Sequence, residues 1–101
     1  MTFAKVGSAT DLLYDRMIGV QASGKEVLVA KLEDRFYALG NVCTHQGCRL
    51  SGGKIREGKI RCPCHGSVFD PETGKVLQGP AEKPVPVYRI KVENGSIWVD
   101  L

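Results

Sequence analysis

Short runs in which apolar and polar residues alternate recur along the chain and predict β-strands. The runs are FAKVG (3–7), RMIGVQA (16–22), EVLVAKL (26–32), RFYALG (35–40), KIRC (59–62), SVFD (67–70), KVL (75–77), VYRIKVE (87–93) and SIWVDL (96–101). Alternate side chains of a strand point to opposite faces, so each run can bury one face. Short strands at this spacing favour an antiparallel sandwich or barrel. We expect the large aromatic residues Phe36 and Trp98 in its core.

Residues typical of tight turns separate these runs. They are Ser-Gly at 23–24, Glu-Asp at 33–34, Glu-Gly at 57–58, Asp-Pro-Glu-Thr-Gly at 70–74 and Asn-Gly at 94–95. Asn-Gly is the strongest signal, because a type I′ hairpin turn needs positive φ at both central residues. Only the segment SATDLLYDRM (8–17) can start a helix, with Ser8 or Thr10 as N-cap, and we expect at most one or two turns there.

Length and composition fit one small globular domain that spans 1–101. The chain is 43% hydrophobic and 25% charged, and a chain of this size supports a single core. No apolar run approaches the roughly 20 residues of a membrane helix. The first residues also lack the basic and apolar regions of a secretion signal. These features predict a soluble, cytoplasmic protein with no membrane insertion.

The formal net charge of +3 is modest and spread along the chain, so it gives no reason to expect a nucleic-acid partner. One local cluster in KIREGKIRC consists of Lys54, Arg56, Lys59 and Arg61. Its charged residues alternate with apolar ones, which predicts a hairpin with the basic side chains facing water. A solvated face and a docking surface for an acidic partner both fit this pattern.

A third irregular stretch, QGPAEKPVP at 78–86, contains three prolines. Proline fixes φ, so this segment is stiff. It fits either a rigid connection or a flap that shields a nearby site.

All four cysteines and both histidines lie in two short segments, NVCTHQGCRL (41–50) and RCPCHGSVFD (61–70). Thiolate and imidazole suit iron–sulfur centres, zinc and copper. Cys43-x-His45 and Cys62-x-x-His65 each offer one sulfur and one nitrogen. Adjacent side chains such as Cys64 and His65 tend to diverge in a turn, which favours Cys62 as the partner of His65. The segments together predict a mixed metal or cluster site.

Cys48 and Cys64 are then left over, one in each segment. If both segments hold the same centre, the two sulfurs could form a disulfide, provided that the Cα atoms lie within about 7 Å. Disulfides are rare in the cytosol outside hyperthermophiles, so the alternative of two free thiols stays open.

Three other uses of the six residues also stay open at this point. All four cysteines could hold a cluster, but thirteen residues precede Cys62 where the plant-type ferredoxin spacing has C-x₂-C. A structural zinc site could use four of the six groups, although zinc motifs usually space cysteines as C-x₂₋₄-C. The Cys-Pro-Cys run could be a redox thiol pair, but it is not C-x-x-C and no βαβ pattern surrounds it.

CTHQGC and CPCHGS resemble the two cluster-binding boxes of Rieske [2Fe–2S] proteins, with sixteen residues between His45 and Cys62. GKEVLVAKLEDRFYALGNVCTH and GSVFDPETGKVLQGPAEKPVPVYRIKVENGSIWV resemble the two halves of small Rieske ferredoxins, so the likeness covers nearly the whole chain. The resemblance implies an all-β fold, a Rieske-like antiparallel β-sandwich or barrel. It also implies a small cluster-binding subdomain made of two loops, at about 41–50 and 61–70.

The resemblance assigns roles to six of these residues and to two neighbours. Cys43 and Cys62 would bind one iron, His45 and His65 would bind the other, and Cys48 and Cys64 would form the inter-loop disulfide of the quinol-oxidising branch. Ser67 matches a serine whose hydroxyl donates a hydrogen bond to a bridging sulfide in that branch. Phe69 stands where that branch usually has a tyrosine, so one hydrogen bond to a ligand sulfur is missing. Gly47 and Gly66 are expected to permit tight turns beside the cluster.

Hydrogen bonds to the sulfurs raise the reduction potential. A chain with Ser67 and without the tyrosine should therefore have a potential between the extremes of the Rieske range of roughly −150 to +300 mV. The length, the absent membrane anchor and GPAEKPVPVY resemble soluble ferredoxins that serve oxygenases. The resemblance therefore implies a one-electron carrier, with no substrate turnover of its own, between a reductase and a terminal oxygenase. The alternatives are a small Rieske subunit of a larger redox enzyme, nitrite-reductase-like or quinol-oxidising, and a zinc-stabilised binding module.

Overall fold

The computed structural model describes residues 3–12, 16–44, 47–64 and 66–101. These residues form eleven β-strands and two 3₁₀ turns, Ala9–Asp11 and Leu50–Gly52, and no α-helix. The strands are β1 (Phe3–Ser8), β2 (Arg16–Ala22), β3 (Lys25–Leu32), β4 (Arg35–Gly40), β5 (Lys54–Arg56), β6 (Lys59–Arg61), β7 (Val68–Phe69), β8 (Val76–Gln78), β9 (Val87–Tyr88), β10 (Ile90–Glu93) and β11 (Ser96–Asp100). The predicted all-β fold class is confirmed.

The strands form three antiparallel sheets. They are the outer sheet, in the order β1-β11-β10, the central sheet, in the order β2-β3-β4-β9, and the third sheet, in the order β5-β6-β7-β8. Most of the paired strands follow each other directly along the chain, as expected for strands joined by short hairpins. The third sheet carries the second of the two cysteine-containing segments at the end of β6.

Strand β3 is buried on both faces and separates two hydrophobic cores. Its residues Val27 and Val29 pack with Ile97 and Val99 of β11 in what we call the second core. The intervening Leu28, together with Ala30 and Leu32, packs with residues of the third sheet and with Cys43 and Cys62 in what we call the first core. Because alternate side chains of a strand point to opposite faces, one strand supports both the outer sheet and the cysteine-bearing loops.

The predicted hairpin turns are present between the expected strands. Ser23-Gly24, Glu57-Gly58 and Asn94-Gly95 all have positive φ, between 51° and 76°. Positive φ at both central residues is the signature of a type I′ turn, whose twist matches the flanking strands. The turn Glu57-Gly58 joins β5 to β6 and so confirms the predicted basic hairpin.

Three expectations need correction. The run VYRIKVE is two strands, because β9 pairs with β4 in the central sheet whereas β10 pairs with β11 in the outer sheet. Trp98 is half-buried and not in the core, since its neighbours Ile97 and Val99 take the inward positions of β11. Phe36 is only partly buried and packs at the edge of the second core.

The predicted helix start is a single 3₁₀ turn, Ala9–Asp11. Ser8 stands at the N-cap position, but its side chain makes no capping hydrogen bond and instead donates to the carbonyl of Gly95. Residues 13–15 of the predicted segment lie outside the described residues. Within the described ranges, no helix has the length and apolar character needed to cross a membrane.

Candidate metal centre

Cys43 and Cys62 each follow a strand and pack into the first core. Cys43 lies three residues after the end of β4, and Cys62 directly follows β6. Both side chains are buried, with 3% of their surface exposed, and both belong to the same hydrophobic cluster. Neither takes part in a disulfide. The structure therefore brings together the two cysteines that the sequence singles out as ligands.

A disulfide joins the two cysteine-bearing loops. It links Cys48 of the first loop to Cys64 of the second, with their Cα atoms 6.4 Å apart. This distance satisfies the limit of about 7 Å for a bridge, and the predicted pairing is confirmed. Because Cys48 and Cys64 are bonded to each other, they cannot also serve as the third and fourth ligands of an all-cysteine cluster. The same bond excludes a Cys62–Cys64 redox pair in this state of the protein.

Backbone hydrogen bonds fold the first loop tightly around Cys43. The amide of Cys43 donates to the carbonyl of Cys48 at 2.7 Å, and the amide of Gly47 donates back to the carbonyl of Cys43 at 2.9 Å. Gly47 has φ of +75°, a conformation that costs other residues about 1–2 kcal/mol. The predicted role of this glycine in a tight turn is confirmed.

Asn41 closes the base of the first loop. Only 3% of the surface of Asn41 is exposed to solvent. The side-chain amide donates to Oγ of Ser51 at 3.0 Å, and its carbonyl oxygen accepts from the amide of Ser51 at 2.8 Å. A Cβ at Gly19 would lie 2.6 Å from both of these side chains, so β2 passes directly over the pair. Asn41 was not predicted from the sequence, where its one signal is a polar residue immediately after a buried strand.

The second loop is fixed by Ser67. The amide of Cys62 donates to the carbonyl of Ser67 at 2.7 Å, and Gly66 turns the chain with φ of +79°, as predicted. The hydroxyl oxygen of Ser67 accepts from the amide of Ala81 at 2.9 Å, in a side chain with 1% exposure. That contact uses an oxygen lone pair and leaves the hydroxyl proton available for another acceptor. This arrangement fits a serine that donates a hydrogen bond towards a bound group.

The proline-containing segment 78–86 packs across both loops. Its Lys83 carbonyl accepts from the hydroxyl of Thr44 at 2.6 Å, while Ala81 contacts Ser67 of the other loop. Ala81 and Val85 are buried in the cluster that contains Cys43 and Cys62. Of the two sequence interpretations, these contacts favour the flap. The segment shields the buried thiols from water.

Phe69 is fully buried in the same core. It lies on β7, where it pairs with Ile60 of β6 and Val76 of β8. A phenyl ring offers no hydrogen-bond donor, so this position supplies packing alone. The structure thus agrees with a site that has the serine donor but lacks the tyrosine donor.

The other two predicted ligands, His45 and His65, lie outside the described residues. No group of three or more histidine, cysteine, aspartate or glutamate side chains within metal-binding reach occurs in the ranges that the structure covers. The mixed set of two sulfurs and two nitrogens therefore stays a prediction. The described half of the set fits a cluster, because two buried thiols lie in one core and the remaining two cysteines are held in a disulfide.

Comparisons with known proteins identify relatives over nearly the whole chain. The family model for the Rieske [2Fe-2S] domain matches residues 2–89. The ferredoxin component of the naphthalene 1,2-dioxygenase system of Pseudomonas putida is 37% identical over 92 residues, which are 91% of this chain and 88% of the relative.

Two solved structures have the same fold. The ferredoxin of carbazole 1,9a-dioxygenase from Nocardioides aromaticivorans matches with a TM-score of 0.93 and 31% identity, covering 98% of this chain and 97% of that chain. A chain in the complex of reduced oxygenase and oxidized ferredoxin of carbazole 1,9a-dioxygenase matches with a TM-score of 0.90 and 32% identity, covering 96% of this chain and 91% of that chain.

Proposed function

Since the chain belongs to the Rieske [2Fe–2S] domain family, we propose that it is a carrier that passes single electrons from a reductase to a terminal oxygenase. The chain covers 88% of the naphthalene dioxygenase ferredoxin component and 97% of the carbazole dioxygenase ferredoxin, which supports a carrier of the same kind. A related ferredoxin has been captured in a complex with its oxygenase. In this role the chain delivers electrons, and the oxidation of substrate takes place in the partner.

One structural observation carries the proposal. Cys43 and Cys62 are buried in the same core, and the disulfide between Cys48 and Cys64 ties together the loops that hold them. Buried thiolates are costly unless they are paired or bind a metal. The arrangement therefore supports a resident cofactor at these two sulfurs, and family membership implies that this cofactor is a [2Fe–2S] cluster.

We propose Cys43 and Cys62 as the ligands of one iron and His45 and His65 as the ligands of the other. When bound, such a cluster accepts one electron and releases it again. The residues of the chain have three further tasks. Ser67 directs a hydroxyl proton towards the site, Phe69 packs its inner side without adding a donor, and the 78–86 flap excludes water through its contacts with Thr44 and Ser67.

Visible absorption and EPR spectroscopy of the protein, purified without oxygen and then reduced, test this function. We expect the visible bands and the reduced-state EPR signal of a Rieske cluster, and oxidation of the reduced protein when a purified Rieske oxygenase is added. Cys43→Ser should abolish both spectra. Thr44→Ser is the matched control, because it keeps the hydroxyl that donates to Lys83, and it should leave the spectra unchanged. A colourless, EPR-silent protein with stoichiometric zinc would contradict the proposal.

We also propose that the carrier works in the cytoplasm, where a reductase and an oxygenase would be available to it. Cell fractionation followed by immunoblotting tests this location. Recovery with a cytoplasmic marker enzyme is the expected result, and recovery with the membrane or periplasmic fraction would contradict it.

A further inference from the structure

The hairpin of β5 and β6 presents four basic side chains on one face. The strand register places Lys54 opposite Arg61 and Arg56 opposite Lys59. All four are exposed, whereas the intervening Ile55 and Ile60 pack into the first core. Directly opposite residues of an antiparallel pair have their Cβ atoms about 4.5–5.5 Å apart. The hairpin therefore holds two rows of like charge side by side; we call these four residues the basic face.

Intramolecular ion pairs do not neutralise the basic face within the ranges that the structure describes. Two ion pairs in the described part of the chain join Arg49 to Glu26 and Lys91 to Glu93, and neither involves the basic face. Glu57, in the turn of the hairpin, lines a separate cavity of about 690 Å³ beside Ile55. Like charges placed directly opposite each other destabilise a sheet. An acidic partner would relieve this repulsion.

The basic face continues into the loop that carries Cys62. Lys54, Arg56 and Arg61 line a concave surface of about 500 Å³ together with Cys62 and Cys64. Arg61 immediately precedes Cys62, and its Nη2 atom lies 3.0 Å from the position that a Cβ on Gly66 would take. The guanidinium group thus lies against the second loop. A partner bound to the basic face would lie next to the buried thiol that we assign to the cluster.

A second concavity extends the positive surface. Arg16, at the start of β2, and Lys54 both line a cavity of about 380 Å³. Positive charge therefore continues from the basic face onto the neighbouring edge of the central sheet. This breadth suits a protein surface better than a single small anion.

We propose that the basic face binds an acidic patch on the redox partner and docks that partner against the second loop. The proposal rests on the proposed function, since a docking site for electron transfer requires a carrier. Complementary charge raises the association rate by about 10- to 10³-fold and fixes the orientation of the encounter. The face thereby determines which side of the chain the electron leaves or enters.

Two variants with equal net charge test the proposal. Lys54→Glu with Arg56→Glu reverses two charges of the face and changes the net charge from +3 to −1, since 3 − 4 = −1. The control is Lys5→Glu with Lys91→Glu, which makes the same change. Lys5 and Lys91 flank Trp98 in the outer sheet, on the other side of the central sheet. Arg61 is left intact, because it adjoins the proposed ligand Cys62.

The first measurement is stopped-flow oxidation of the reduced holoprotein by hexacyanoferrate(III), a trianion. One electron leaves the protein and reduces the iron of the reagent from Fe(III) to Fe(II). At low ionic strength we expect the face variant to react at least about tenfold more slowly than the control variant. The difference should vanish at about 1 M salt, where the Debye length is about 3 Å. Equal rates for the two variants at low salt would overturn the docking proposal.

The second measurement is isothermal titration calorimetry with poly-L-glutamate as an acidic polypeptide. The wild type and the control variant should bind it, and the face variant should lose at least about tenfold in affinity. Equal binding by both variants would overturn the proposal, and so would tighter, face-dependent binding of a 20-base-pair DNA duplex at about 150 mM salt, which would assign the face to nucleic acid. Failure of the carrier itself is recognised separately, because a protein without a reducible cluster would show no change in cluster absorbance on mixing with hexacyanoferrate(III) at any salt concentration.

Discussion

Replacing Ser67 with alanine should separate the structural role of this residue from its role in setting the reduction potential. The Ser67 side chain is 1% exposed, and its oxygen accepts a hydrogen bond of 2.9 Å from the amide of Ala81. Ser67→Ala leaves that amide without its acceptor in a buried segment. Loss of such a bond destabilises the folded state by about 1–3 kcal/mol. Thermal unfolding measures this part of the effect.

The same substitution removes the hydroxyl group that we propose donates a hydrogen bond to the cluster. A hydrogen bond to sulfur stabilises the more negative, reduced state, so its loss lowers the midpoint potential. If the bond is stronger in the reduced state by about 1–2 kcal/mol, the potential falls by about 40–85 mV, because about 1.4 kcal/mol corresponds to about 59 mV for one electron. Protein-film voltammetry at fixed pH measures the shift.

Ser51→Ala is the matched control. The hydroxyl of Ser51 accepts a hydrogen bond of 3.0 Å from the side chain of Asn41, at the base of the first loop. This variant makes the same chemical change and should also lose stability, but its midpoint potential should stay within about 10 mV of the wild type. Should Ser67→Ala lose stability while keeping the wild-type potential, the hydroxyl proton does not point to the cluster and our assignment of Ser67 is wrong.

Three further predictions concern the same site. Phe69→Tyr should raise the midpoint potential by about 40 mV, because the added hydroxyl restores one hydrogen bond to sulfur; voltammetry checks this, and an unchanged potential would mean that the ring edge does not reach a ligand sulfur. Replacing both Cys48 and Cys64 with serine opens a crosslink between residues separated by 16 positions and should lower the free energy of unfolding by about 3 kcal/mol. Chemical denaturation measures that loss, and an unaltered denaturation midpoint would contradict it. His65→Cys should lower the potential sharply or prevent cluster assembly, since thiolate adds negative charge to the site; a variant with the wild-type EPR spectrum and potential would show that His65 is not a ligand.

The strands could be predicted from the sequence because their determinants are local. The runs at 16–22 and 35–40 coincide with β2 and β4, and the turns at 57–58 and 94–95 have the positive φ that their residues favour. The division of VYRIKVE between two sheets could not be predicted in this way. Val87 and Ile90 are equally suited to a strand, and only the positions of β4 and β11 decide which sheet each one joins.

Trp98 shows a second limit of sequence interpretation. Its size favours burial, yet the strict alternation of β11 assigns the inward positions to Ile97 and Val99. Trp98 instead lies between Lys5 of β1 and Lys91 of β10. The period of the strand overrides the hydrophobicity of a single residue, because a shift of one position would expose two branched aliphatic side chains in order to bury one aromatic ring.

The types of ligand at the site could be predicted from the sequence, whereas the residues that hold the two loops in place could not. Cysteine and histidine are rare enough for their spacing to predict a metal centre. The same spacing predicts the disulfide between Cys48 and Cys64, which the structure contains. Asn41 and Ala81 act through hydrogen bonds to Ser51 and Ser67, which lie 10 and 14 positions away. Such contacts depend on how the chain returns to the site, and no local pattern encodes that return. The supporting residues of a metal centre are therefore found from the fold, after the ligands have been proposed from the sequence.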